Sequence, residues 1–131
     1  HFYLERGPYV MAAVLDENAI SNEPLQLQGH YIDLFDPKLP CMEVVKVNPG
    51  EQAFLFDIDA VKDAMRPQVL AAASRQYEEK VGERSFAFTA KSPANTDNVM
   101  RILLPKEPKK VKVGFIAISK TYTFLLCAMQ V

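Results

Sequence analysis

Tryptophan is missing from the chain, and among its 131 residues there are only two histidines and two cysteines. Each scarcity removes a class of function. Cys41 and Cys127 are too few for a disulfide framework, and both sit beside apolar neighbours, where buried free thiols are the expected state. A single disulfide would require their two segments to lie side by side. Zinc ligation is disfavoured, because His1 and His30 supply none of the short paired spacings that the metal uses. The same two histidines are the only imidazole bases that a serine or cysteine nucleophile could use, and the strained Gly-x-Ser-x-Gly turn is absent. A serine hydrolase is therefore not expected. His1 is terminal, and His30, following Gly29, reads as a half-exposed strand residue.

Excess charge is also missing. Fifteen basic residues against sixteen acidic ones give a formal net charge of -1, which leaves neither a nucleic-acid footprint nor a polybasic membrane patch. The five glycines fall in no Walker or dinucleotide spacing, so nucleotides are not expected ligands and no cofactor is expected. The longest apolar run near the end, residues 124–129, is far short of the roughly 20 needed to cross a bilayer. The opening 14 residues lack the basic start, the apolar stretch and the cleavage site of a signal peptide. A start at histidine and a stop inside a strand-like segment suggest one domain, residues 1–131, cut from a larger protein.

What is present is punctuation. Nine prolines and five glycines divide a chain that is 49% hydrophobic into short segments, as in an all-β fold. Residues 9–15 form a continuous apolar run suited to a central strand. Residues 25–35 alternate apolar and polar, with a change of phase at Gly29 that predicts a bulge or bend. Asn48-Pro49-Gly50-Glu51 is the strongest turn signal and predicts a hairpin between residues 42–47 and 52–59, with Phe54, Phe56 and Ile58 on one face. An Asp59 N-cap before Ala60 to Met65 predicts one or two helical turns stopped by Pro67. Alanine and glutamate favour helix over residues 69–80, but Val69, Ala71, Ala73 and Tyr77 keep strand period, and a hairpin with residues 85–91 is expected. Residues 92–96 read as a loop, and residues 98–104, 111–113 and 122–126 as further strands. The sum is a two-layer antiparallel β-sandwich, immunoglobulin-like or jelly-roll-like, with eight or nine strands and at most one short helix.

Chemistry-bearing pairs are few. Asp33 with Asp36, and Asp57 with Asp59, supply paired carboxylates of the kind glycoside hydrolysis needs, yet their places at strand ends fit turn-forming and solvated roles. A calcium loop would need regularly spaced oxygen ligands, which these pairs lack. Sugar binding uses planar rings flanked by polar groups. Tyr3, Tyr9, Tyr31, Tyr77 and Tyr122 are the tyrosine candidates, and Tyr77 leads because strand spacing puts Arg75 and Glu79 on its face.

The stretches Glu5 to Val10, Gly29 to Pro37, Asn48 to Gln52 and Asn98 to Pro105 resemble accessory β-sandwich modules of large secreted bacterial proteins that process glycans. The resemblance covers most of residues 5–113 and includes no catalytic motif. It implies an extracytoplasmic, non-catalytic module that packs against or positions a neighbouring domain, with weak glycan contact as an addition. Two other readings stay open: a small glycan-active domain using Tyr77, Arg75 and Glu79 or the Asp33 and Asp36 pair, and a homo-oligomer paired through strand edges.

Overall fold

A computed structural model of the chain describes residues 1–16, 23–63, 65–72, 75–91, 98–106, 109–110 and 122–126. Ten strands and a single 3-10 turn occur among them, which bears out the all-β, sandwich-like class and adds a strand to the expected number. The contacts divide the chain into two compact units, His1–Lys62 and Asp63–Val131. The expected loop at residues 92–96, the strand at 111–113 and Cys127 lie outside the described residues.

The first unit is a five-stranded sheet in the order β1-β2-β5-β3-β4, antiparallel throughout, made of β1 (Phe2–Arg6), β2 (Tyr9–Ala13), β3 (Leu25–Asp33), β4 (Cys41–Val47) and β5 (Gln52–Asp57). The apolar run at residues 9–15 does supply a central strand. It alternates, however: Val10, Ala12 and Val14 are buried, while Tyr9 is exposed. Gly29 marks a bulge as expected, with one extra residue in β3 between Gln28 and Tyr31. Bulges bend a strand and tighten its twist. Beyond this one, Val45 and Val47 of the edge strand pack with Val10, Ala12, Val14, Tyr31 and Leu55 in one core. Leu55 is 1% exposed, and burial of such a side chain stabilises by roughly 1.5–3 kcal/mol.

Two local expectations fail for identifiable reasons. Asn48 to Glu51 does form a turn, with the Glu51 amide donating to the Asn48 carbonyl at 2.9 Å, but β4 and β5 do not pair. The Gly50 amide donates instead to the Val14 carbonyl at 2.8 Å, so the turn docks on the end of β2 and β3 comes between its two arms. Among the described residues, no α-helix follows Asp59. Asp57 is the cap, its carboxylate accepting from the Asp59 amide at 3.0 Å, and the chain makes only the 3-10 turn Ile58–Ala60 before returning to extended backbone at Val61. Ile58, the first residue of the turn, is 3% exposed.

The second unit holds two separate sheets. In one, β9 (Asn98–Leu103) lies between β6 (Gln68–Ala72), antiparallel to it, and β10 (Tyr122–Leu126), parallel to it. That parallel pair departs from a purely antiparallel design. Residues 99–103 are all buried, as a strand covered on both faces requires. Arg101 is among them, and burial lowers the pKa of its guanidinium. The other sheet is the hairpin of β7 (Arg75–Val81) and β8 (Phe86–Lys91), as expected, so strand period outweighs helix propensity here. The stretch at residues 69–80 is nevertheless divided: its first part, β6, pairs with β9 in a different sheet.

Candidate functional site

An exposed apolar face grows from strand alternation in the first unit. The register pairs Tyr9 with Phe56, Met11 with Phe54 and Ala13 with Gln52, so these side chains share one face of the sheet, and β1 adds Phe2 and Leu4 to it. The opposite face carries Val10, Ala12 and Leu55 into the core. Tyr9 stacks on Phe54 with ring centroids 5.9 Å apart and meets Phe56 edge-on at 5.6 Å. Phe35, just beyond β3, tilts against Phe54 at 6.0 Å. Phe2, Met11, Ala13, Phe35, Gln52 and Phe54 are among the residues lining an open groove of ≈ 400 Å³. Phe2 is 52% exposed and Phe35 61% exposed. Gln52 is its one polar side chain. The groove can receive apolar groups, and it holds no acid or base to perform chemistry on them.

A polar cluster lies in the same unit. Tyr3 and Glu5 of β1 share the core-side row of the sheet with Val10 and Ala12, and the Tyr3 hydroxyl donates to the Glu5 carboxylate. That bond, with burial and the nearby Glu5 charge, pushes the Tyr3 phenol up to about 12. Tyr31, paired in register with Asp57, donates to the Gln28 carbonyl at 3.4 Å. Burial raises its pKa, and the charges of Asp57, Asp59 and Glu5 add to the effect. Asp57 is raised as well, by burial first and by Asp59 and Glu5, against the lowering effect of the amides it caps. His30 places Nδ1 3.0 Å from one carboxylate oxygen of Asp59, both side chains about half exposed. Spacing along the chain gave no sign of this convergence, since its members come from β1, β3, β5 and the 3-10 turn.

Of the sugar-binding residues expected from the sequence, Arg75 and Tyr77 lie on one row of the hairpin, opposite Lys91 and Thr89. Glu79 does not join them. One extra residue in β7 between Tyr77 and Lys80, with Glu78 at φ +57°, passes the row to Lys80, which pairs with Ala87. Tyr77 is 41% exposed, and so is Tyr3; Tyr31 is buried, and the Tyr122 side chain lies outside the described residues. The paired aspartates are engaged with turn backbone: Asp33 accepts from the Phe35 amide and Asp36 from the Lys38 amide, both at 2.9 Å.

Cys41 corrects the thiol expectation, because it is exposed on β4 and disulfide-bonded. Among the described residues no three metal-ligating side chains are grouped to hold an ion, and no helix is long and apolar enough to cross a membrane. Compared with protein families, with curated proteins and with solved structures, the chain matches none.

Proposed function

We propose that this chain is a non-catalytic accessory module of a secreted carbohydrate-processing protein, which packs its aromatic sheet face against a neighbouring domain of the same polypeptide. The observation that carries the reading is the uncovered face itself. Contiguous apolar surface on this scale marks an interaction site more often than it marks ordinary exposed side chains. Phe2, Tyr9 and Phe35 offer stiff rings with little rotamer entropy to lose on docking, and the groove lined by Phe2, Phe35 and Phe54 suits an inserted apolar side chain. The carbohydrate part comes from the four stretches that resemble glycan-processing accessory modules. The disulfide at Cys41 supports an extracytoplasmic place, because thiols of cytosolic proteins are kept reduced.

The test is made on the isolated chain. An apolar dye should bind the sheet face, or the chain should self-associate with rising concentration, and Phe2→Ser with Phe35→Ser should abolish either behaviour while circular dichroism stays unchanged. Turnover of chromogenic glycosides by the chain, or a monomer that ignores the dye, would overturn the reading.

A further inference from the structure

We propose that the β7–β8 hairpin binds an acidic oligosaccharide, one whose sugar rings carry carboxylates, through the row formed by Arg75, Tyr77, Lys80, Thr89 and Lys91. The ligand class rests on the carbohydrate-related reading above; the site itself rests on register. Arg75 and Lys91 stand directly opposite each other, a like-charge cross-strand pair that costs stability unless a counter-charge is supplied. Among the described residues no ion pair reaches Arg75, Lys80 or Lys91. Among the described residues, the carboxylate hydrogen-bonded to the row is Glu78, which accepts from the Thr89 hydroxyl at 3.3 Å. Three cations against one carboxylate leave the row positive on a chain whose formal net charge is -1.

The bulge makes this row what it is. Plain alternation would bring Glu79 in beside Tyr77 and leave Lys80 out. The extra residue does the reverse, setting cations at both ends of a strip about 13 Å long, counted as four strand steps along β8. Tyr77 sits between those ends, 41% exposed, with small partners in Thr89 and Ala87 across the hairpin. Its ring is therefore open to the apolar face of a sugar. Arg75 presents a planar fork that matches a carboxylate through two parallel hydrogen bonds. An acidic peptide brings no flat apolar ring face to lay against Tyr77, whereas a sugar does. Nucleic acid would use a wider basic field than the balanced composition supplies.

Affinity electrophoresis and calorimetry with polygalacturonate oligomers test the assignment, with neutral galacto-oligosaccharides, poly-glutamate and single-stranded DNA as comparison ligands. Polygalacturonate should bind, weakening as salt rises, and the neutral sugar should not. Arg75→Gln with Lys91→Gln should weaken binding at least tenfold, Tyr77→Ala should do so too, and Glu79→Gln should leave it unchanged. Binding of poly-glutamate or DNA as tight as that of polygalacturonate, an unchanged affinity in Tyr77→Ala, or no binding at all would overturn the proposal. Dye binding at the aromatic sheet face is read in the same variants. It should be unaffected by them, and failure of the unsubstituted chain to bind polygalacturonate while the dye still binds its sheet face would refute the hairpin site alone.

Discussion

Tyr3 and Asp57 show how a residue's behaviour is decided by what surrounds it, a same-strand carboxylate for the first and burial for the second. Tyr3 donates to Glu5, two positions along β1, and its phenol is pushed up to about 12. Ultraviolet titration of Glu5→Gln should bring the last phenolate transition down, because a neutral amide removes both the charge and the strongest acceptor. Asp57 has a folded pKa above its unfolded value, so its contribution favours folding fully below the unfolded carboxylate pKa and is lost as pH rises through the folded one. Asp57→Asn keeps an acceptor for the Asp59 amide and removes the charge. The variant should melt slightly higher than the parent at neutral pH, with the gain vanishing below the carboxylate range. A gain that persisted in acid would show that burial of the charge is not its source. Neither effect was legible in the sequence. Asp57 read there as a solvated strand end, since nothing along the chain announces that Tyr31 and Glu5 are near.

At the level of elements, alternation was legible and pairing was not. The strands at residues 25–33, 41–47 and 52–57 follow apolar period and breakers, and the β7–β8 hairpin follows from strand period despite helix-favouring composition. The Asn48 to Glu51 turn was read correctly as a turn and wrongly as a hairpin. Its residues specify a local reversal, whereas the partner of the Gly50 amide is Val14, about 36 positions earlier by its number. Gly50 has φ +85°, the torsion required after proline in this kind of turn, and an added Cβ would meet nothing closer than Asp16 at 4.0 Å. Gly50→Ala should therefore cost about 1 kcal/mol from backbone torsion alone, with Gly50→Asn costing less, both read by urea denaturation. Equal stability of all three proteins would place the turn outside the cooperative structure. The bulges of β3, β6 and β7 were invisible as registers, although Gly29 announced the first; Glu78, a residue that seldom takes positive φ, announced nothing.

For the whole molecule, punctuation by proline and glycine with short apolar runs was enough to give the all-β class, because strand length and turn frequency are properties of composition and spacing. Which strands meet in which sheet is set by long-range pairing, and the sequence left that open. Leu55 lies at the centre of the first unit's core, and Leu55→Ala should destabilise it by about 2–5 kcal/mol in thermal or urea unfolding. The exposed Phe35→Ser change should cost far less, which separates core from docking surface by stability alone. Cys41 offers a further check: thiol titration of the native chain should find it unreactive until a reductant is added. Ready alkylation without reductant would remove that support for an extracytoplasmic location.

The inserted position at Glu78 has an outcome for how such a hairpin can change over time. Deleting Glu78 would turn β7 into a regular strand and still keep Tyr77 and Lys80 on the same side, while removing the carboxylate that Thr89 donates to. Replacing Glu78 with valine, which resists positive φ, would press all seven residues of β7 toward simple alternation and swing Glu79 into Lys80's place. Shortening the chain there keeps the cations in place, and a single swap of residue type exchanges a cation for a carboxylate at one end of the row.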